Sequence, residues 1–375
     1  MNSPSRIYFL DNLRAFVILL VVILHGSMTY MAYAPSWWYV LDPQNSLFFT
    51  LLVLLIDIPI MLVMFFIAGY FALPSLSKRG PREFIKDKFV RVGIPWLVGA
   101  LFLAPPTAYL IYYTRGAPIT FLQFWATEFW GEGYQQSVYW FLGVLFLFFL
   151  ALSLVYTPSD RLQSSKRHLA RPSWKLFAGF WAVMTLAMLL MNQIFPEADT
   201  WFRGWYILVF QPLRVPLYIG YFGLGLYAHL HGWFTKEGYR PRLALWATIA
   251  ILSGLLYLGY RLFVMPTVPQ PALLIQAGYA VLFNAFCLSA FLAGAAFFQQ
   301  KVNQASPFWS NLALSSYGIY FIHPLILYPL AYLFVPISLP LLLKAPLVII
   351  LGLLLSWAVS ALILTKTPLL QRAFA

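Results

Sequence analysis

The sequence predicts an all-α fold: a polytopic membrane bundle with about ten transmembrane helices. Of its 375 residues, 62% are apolar and 9% are charged, a balance too apolar for a domain that must stay dissolved in water. Apolar runs of about 20 residues recur along the whole chain, and each is long enough to cross a hydrocarbon core of about 30 Å as a helix. Such unbroken runs favour helices over short alternating strands.

Each helix is placed on one apolar run, and the polar, proline-rich or glycine-rich stretches between runs mark its ends. Taken in order, the predicted spans cover residues 10–31, 47–73, 92–113, 138–156, 175–195, 205–230, 242–265, 272–298, 309–335 and 340–365. The connections between them are short, and the two longest are 114–137 and 157–174. We therefore expect residues 1–375 to form one integral-membrane domain.

The distribution of lysine and arginine predicts the orientation of the chain. An even number of spans with a cytoplasmic N-terminus places both termini and 19 of the 24 basic residues on the cytoplasmic side, as the positive-inside rule requires. The five others are Arg115, Arg203, Arg214, Arg261 and Lys344. This distribution accounts for most of the net charge of +13 without nucleic acid, and it indicates a multi-pass protein of the cell (inner) membrane.

Two local signals change this prediction little. Ala32-Tyr33-Ala34 follows the first apolar run in the manner of a signal-peptide cleavage site, but Asp11 and Arg14 lengthen that run into a spanning pattern. We expect the first span to be retained. The single cysteine, Cys287, lies inside an apolar run, where we expect it to pack against its neighbours.

The first span carries ionisable groups at both ends of ten apolar residues. Arg14 and His25 are eleven positions apart, which places them within about 20° of one helix face and about 16 Å apart along the axis. Asp11, one turn before Arg14, is positioned to pair with it. Charged and titratable groups within a span usually face a cavity or a partner. The alternative is that Arg14 extends to the lipid headgroups and His25 packs against a neighbouring helix.

This spacing of Arg14 and His25 resembles the signature of the membrane acyltransferase-3 family, and four further segments agree with it. They are FFIAGYF at 65–71, in which Ala68 stands where the family usually has serine, the basic loop FIKDKFVRVGIPWL, YWFL at 139–142 and SSYGIYFIHP at 315–324. YFLDNLRAF and VRVGIP look closest to the branch that contains succinyl transferases of osmoregulated periplasmic glucans. The resemblance covers most of the chain.

The resemblance implies an O-acyltransferase that moves an acetyl or succinyl group from cytoplasmic acyl-CoA to a hydroxyl of an extracytoplasmic glycan or glycolipid. Such transfer needs a base, an oxyanion stabiliser and a grip on the donor. His25 is the candidate general base or acyl relay, assisted by Arg14 and Asp11. Arg14, Lys88 and Arg91 are the candidates for binding the coenzyme phosphates, although positive-inside bias alone explains basic residues there.

Other polar and aromatic residues within the spans are candidates for lining the substrate site. Ser316, Tyr320 and His323 fall on one helix face of the ninth span, and a histidine packed against a neighbouring helix is the alternative for His323. Asp57 is an acid within a span and is a candidate partner for a cation or for the acceptor hydroxyl. Tyr139 and Trp140 begin the fourth span, where an interfacial aromatic belt explains them equally well.

The sequence contains no convincing metal or nucleotide site. His229 and His231 have no clustered cysteine or acidic residue beside them, and Gly220, Gly223 and Gly225 lie within a span, where small residues allow close helix packing. We therefore expect no metal, and the expected partners are acyl-CoA, the acceptor and membrane lipids, with no nucleic acid. Two other readings remain open: an exporter of a sugar-containing or lipid-linked substrate, and a non-catalytic membrane scaffold.

Overall fold

The computed structural model describes residues 7–156, 171–195, 200–204, 207–235, 237–267 and 272–374. Within these ranges the chain is a bundle of long helices. Its helices, numbered in chain order, are α1 Tyr8–Met28, α2 Leu47–Arg79, α3 Pro81–Thr114, α4 Phe121–Ala126, α5 Trp140–Val155, α6 Trp174–Ile194, α7 Val215–Leu230, α8 Leu243–Thr267, α9 Leu273–Lys301, α10 Pro307–Phe334, α11 Leu341–Leu364 and α12 Pro368–Phe374. The long helices confirm the predicted all-α membrane class.

Nine of the described helices are long and apolar enough to cross a membrane. They correspond to nine of the ten predicted spans, with ends that differ by a few residues except in α3. That helix begins at Pro81 rather than at residue 92 and contains two π-helical segments, Phe89–Gly93 and Gly99–Leu103. The basic loop before the predicted third span is therefore the first part of this helix.

The predicted sixth span, 205–230, is wrong in its first third. Phe202–Gly204 (β1) pairs antiparallel with Leu208–Phe210 (β2), and α7 begins only at Val215. Pro212 opens a single 3₁₀ turn directly before α7. Because proline lacks a backbone N–H, which the first turn of a helix does not need, proline is common at helix starts. Hydropathy alone does not distinguish a short apolar hairpin from the first turns of a helix.

The helix α1 lies within the bundle and not at its edge. It packs against α2, α9, α10 and α11, and apolar side chains are buried in every one of its turns. We call the end of the bundle that holds the start of α1 and the α2–α3 junction the basic end. The opposite end, which holds the last turn of α1 and residues 29–46, is the cavity end.

Two glycines allow the closest helix contact in the bundle, between α2 and α7. A Cβ atom on Gly69 would overlap the carbonyl oxygen of Phe222, and a Cβ atom on Gly225 would overlap the carbonyl oxygen of Phe66. The helix backbones therefore touch directly at these two points. This contact explains Gly225 and the glycine of the FFIAGYF segment as packing residues.

Candidate active site

A cavity of about 1230 Å³ lies at the cavity end of the bundle. Its walls come from the last two turns of α1, residues 31–39, the first half of α2, residues 132–140 and residues 201–214. His25 and Trp38 are among its lining residues. The histidine that the sequence singled out therefore faces a protein-lined hollow and not the lipid.

His25 is paired with a second histidine. Its Nδ1 lies 3.0 Å from Nε2 of His323 on α10, and the two rings are close to parallel, with centroids 5.1 Å apart. The other ring nitrogen of His323, Nδ1, lies 2.8 Å from the carbonyl oxygen of Tyr320. His323 itself is completely buried, so its ring orientation is set by protein contacts alone.

These contacts decide which nitrogen of each neutral ring carries the proton. A carbonyl oxygen only accepts hydrogen bonds, so Nδ1 of His323 is the donor to Tyr320 and Nε2 of His323 is unprotonated. That nitrogen then accepts a hydrogen bond from Nδ1–H of His25. The remaining nitrogen of His25, Nε2, consequently holds a free lone pair. A neutral histidine oriented in this way is ready to take a proton from a bound hydroxyl.

Aromatic rings form the wall around His25. The indole of Trp38 stacks on the imidazole with centroids 5.7 Å apart and ring planes 11° from parallel. Tyr328 meets both His25 and Trp38 edge to face, and Tyr39 stacks on Tyr328 with centroids 4.3 Å apart. His25 is thus packed against aromatic rings and also lines the cavity.

Polar contacts fix the loop that carries Trp38. Arg115, which follows the last residue of α3, donates hydrogen bonds to the carbonyl oxygens of Ser36 and Trp38 at 2.6 and 3.0 Å. The Tyr39 hydroxyl donates to Gln135 Oε1 at 2.8 Å. Burial raises the pKa of Tyr39, which keeps the phenol protonated as this donor at neutral pH. The loop is therefore held in place before any ligand arrives.

Gln136, a lining residue, forms hydrogen bonds to three other residues. Its side-chain nitrogen donates to the carbonyl oxygen of Ile207 and to the Tyr134 hydroxyl, and its side-chain oxygen accepts from Trp96 Nε1. The next residue, Ser137, has a φ of 48°, which is uncommon for a residue other than glycine. Strained backbone of this kind persists only where surrounding contacts impose it.

Asp57 of α2 forms an ion pair with Arg214, and both side chains line the cavity. The arginine side chain is 10% exposed and the carboxylate 36% exposed. The guanidinium also lies over the ring of Phe283, with 5.6 Å between its carbon and the ring centroid. The cation expected as a partner for Asp57 is therefore Arg214.

Replacing Asp57 by asparagine is expected to lower the free energy of unfolding by about 1 kcal/mol, because the Arg214 cation loses its counter-charge while the partly exposed position of Asp57 keeps water nearby. Thermal unfolding in detergent measures the change. Glu128→Gln is the matched control, since this exposed glutamate forms no ion pair among the described residues. Equal melting temperatures for Asp57→Asn and the wild type would contradict the assignment.

Several basic residues that the positive-inside rule does not explain line the cavity. Four of the five residues that the rule left unexplained, Arg115, Arg203, Arg214 and Arg261, line it. Asp57 and Glu132 are the acidic residues of its lining within the described part of the chain. Four positive and two negative side chains give the lining a positive excess. A charged side chain buried within a membrane bundle, as Arg214 is, is expensive and usually functional.

The structure separates the other residues predicted at the ninth and fourth spans. Tyr320 and Trp140 line the cavity, and the Tyr320 hydroxyl donates to the carbonyl oxygen of Val138. Tyr139 is fully buried and donates to the carbonyl oxygen of Phe321 at 2.9 Å. Ser316 donates to Ala313 within its own helix. Because neither Tyr139 nor Ser316 is a lining residue, their contacts support packing roles and give no support to substrate contact.

The basic residues predicted to bind the donor lie at the opposite end of the molecule. Arg14 Nη2 lies 3.6 Å from Asp11 Oδ1, so the expected pair is present. Lys88 and Arg91 both approach the carboxylate of Asp87, at 3.8 and 3.4 Å. None of these residues lines the cavity.

Three residues of the site escaped the sequence analysis: Trp38, Gln136 and Arg214. The sequence could have identified Arg214, since it is a basic residue within a predicted span and away from the predicted cytoplasmic side. No sequence feature distinguishes Trp38 and Gln136 from the other aromatic and amide residues of the loops at that end. Among the described residues no group of three or more histidine, cysteine or acidic side chains is placed to hold a metal ion.

Comparison with known proteins identifies the family of the chain. The family model described as "Acyltransferase domain" matches residues 7–364. Glucans biosynthesis protein C of Shigella boydii serotype 4 (strain Sb227) is 34% identical over 112 residues, and that of Escherichia coli (strain K12) is 33% identical over 112 residues. Each match covers 30% of this chain and 28% of the relative, so the chain aligns with less than a third of these curated proteins.

No solved structure matches the chain. The family match extends over nearly the whole sequence and includes α1 with His25 as well as α10 with His323. It confirms the resemblance carried by the spacing of Arg14 and His25. The chain carries an acyltransferase domain and belongs to the membrane acyltransferase-3 family.

Proposed function

We propose that this protein is an O-acyltransferase of the cell (inner) membrane. It moves an acetyl or succinyl group from cytoplasmic acyl-CoA to a hydroxyl of an extracytoplasmic carbohydrate or glycolipid. Family membership and the names of the glucan-related relatives support the reaction class and the acceptor class. The single observation that carries the proposal is the 3.0 Å contact between His25 and His323, which leaves His25 Nε2 as a base facing the cavity.

His25 acts on the acceptor. A sugar hydroxyl bound beside Nε2 gives its proton to the imidazole as its oxygen attacks the thioester carbonyl carbon. His323 holds the ring in the required tautomer and is a positioning residue. In the relay variant of this reaction, Nε2 attacks the thioester first and passes the acyl group to the hydroxyl afterwards. In both variants the open nitrogen of His25 is the reacting atom.

The acceptor enters at the cavity end. The cavity volume of about 1230 Å³ exceeds the roughly 300–1,000 Å³ of common small-molecule pockets and suits more than one sugar ring. Trp37 and Trp140 in its lining offer flat apolar faces for sugar rings, and Gln135 offers a polar amide. The positive excess of the lining also favours an anionic group, which a succinyl chain has and an acetyl group lacks.

The donor enters from the basic end. Arg14, Lys88 and Arg91 would hold the coenzyme phosphates by charge-assisted hydrogen bonds, with the pantetheine arm directed along α1 toward His25. The distance of about 16 Å between Arg14 and His25 along a helix axis suits that arm. Ile18 and Val21, which lie between them, are buried. Arrival of the arm therefore requires neighbouring side chains to move.

A vesicle assay tests the proposal. Purified protein is reconstituted in sealed vesicles with glucan inside and radiolabelled acetyl-CoA or succinyl-CoA outside, and orientation is scored by protease access to the basic end. We expect ester label on enclosed glucan only in vesicles whose basic end faces the donor. Movement of unmodified glucan across the membrane without label would support an exporter instead. Absence of both activities, with an added lysate fraction failing to restore either, would contradict the proposal.

A further inference from the structure

The cavity wall contains a buried hydrogen-bond donor that the structure leaves unused. Trp38 is 3% exposed, and its Nε1–H has no hydrogen-bond partner among the described residues. A buried donor without an acceptor costs about 1–3 kcal/mol. Each such group calls for an explanation, and the Trp38 side chain lines the cavity, where a bound ligand can supply the acceptor.

The position of Trp38 connects this donor to the reaction. Its indole stacks on the His25 ring with centroids 5.7 Å apart, and both residues line the same cavity. The atoms that react at His25 are therefore adjacent to the indole. The carbonyl oxygen of the acyl group gains negative charge when the hydroxyl attacks, and a fixed donor beside it stabilises that charge most when water is excluded.

Trp38 is also held rigidly enough for this role. Arg115 bonds the carbonyl oxygens of Ser36 and Trp38, and the Trp38 amide donates to Pro35 at 3.0 Å. Edge-to-face contacts with Tyr39 and Tyr328 hold the ring from two further sides. A donor fixed before the reaction requires no reorganisation when charge develops.

We propose that the Trp38 Nε1–H stabilises the oxyanion formed during acyl transfer, an inference that rests on the proposed function. The acceptor oxygen forms a bond to the thioester carbon and loses its proton to His25 Nε2, while the C=O electron pair moves to the carbonyl oxygen. That oxyanion accepts the hydrogen bond from Trp38. When the C=O bond re-forms, the C–S bond breaks, and the leaving thiolate takes the proton back from His25.

The test compares Trp38→Phe with Trp233→Phe in the purified full-length protein. Trp233 is a matched control because it is fully buried, its Nε1–H also lacks a partner among the described residues, and it does not line the cavity. Trp38→Phe is expected to lower kcat about 10²-fold, with the KM for each substrate within about twofold and an unchanged or higher melting temperature. Trp233→Phe is expected to keep the wild-type kcat.

A second variant separates the N–H from the shape of the ring. Incorporation of 3-benzothienylalanine at position 38 keeps the bicyclic ring and removes only the donor, so it decides the question even if Trp38→Phe does not fold. We expect the same loss of kcat. A wild-type kcat in this variant would overturn the oxyanion role and leave the acyltransferase proposal intact. Inactivity of the wild-type protein with both acyl donors would refute the proposed function itself.

Discussion

Replacing His25 by asparagine is expected to lower the rate of acyl transfer about 10³-fold, because general-base catalysis contributes roughly 10²–10⁴ to a rate. The substitution removes the only imidazole among the described residues that line the cavity, and this ring stacks on Trp38. Asparagine remains polar and is smaller than histidine, so we expect the bundle to fold. The loss should appear in kcat measured with labelled acyl-CoA and glucan, at equal amounts of membrane-inserted protein.

His231→Gln is the matched control for this experiment. His231 Nδ1 lies 2.9 Å from the carbonyl oxygen of Tyr227, and the residue lies at the basic end and does not line the cavity. Its variant should keep the wild-type rate. Retention of more than a tenth of the wild-type kcat by His25→Asn would contradict a role for this imidazole as base or acyl relay.

The same assay distinguishes the role of His323. His323→Gln keeps a side-chain oxygen that accepts a hydrogen bond, whereas His323→Phe keeps a ring and removes the acceptor for His25 Nδ1–H. If His323 is a positioning residue, the glutamine variant should recover a measurable part of the kcat that the phenylalanine variant loses. Equal rates for the two variants would mean that His323 acts only by filling space.

Much of this fold is determined by local sequence, and so are the parts of the site that lie on one helix. Apolar runs placed nine spans correctly, since hydropathy depends only on neighbouring residues. Asp11 and Arg14 pair because three residues separate them on one turn. Hydropathy failed at residues 205–214, where an apolar hairpin and a proline replace the first helical turns.

The long-range contacts of the site had no comparable signal. His25 and His323 are 298 residues apart in sequence, and nothing in either segment shows that the two rings meet. The group that orients His25 is a second imidazole. Asp57 and Arg214 are 157 residues apart. Such pairs depend on how helices are arranged across the bundle, which residue patterns within one helix do not specify.

A second charge pair helps to hold residues 29–46, the segment that carries Trp38. Lys344 Nζ lies 3.0 Å from Asp42 Oδ2, and both side chains are 1% exposed. Lys344 also donates to the carbonyl oxygen of Val335, and Asp42 Oδ1 accepts a hydrogen bond from the backbone N–H of Gln44. The pair therefore attaches residues 29–46, the segment with Trp38, to the start of α11.

Lys344→Met is expected to lower the free energy of unfolding by about 3–5 kcal/mol, because it leaves the Asp42 carboxylate buried without a counter-charge. Unfolding followed by tryptophan fluorescence in mixed micelles measures this loss. Asp42→Asn combined with Lys344→Met removes both charges and should recover most of the stability, since replacing a buried pair by neutral groups is often close to neutral. If the double variant is no more stable than Lys344→Met alone, the cost comes from lost packing and not from the unpaired charge. We expect kcat to follow stability in these variants. When residues 29–46 are loosened, Trp38 no longer holds its place against His25, so kcat should fall in Lys344→Met and recover in the double variant.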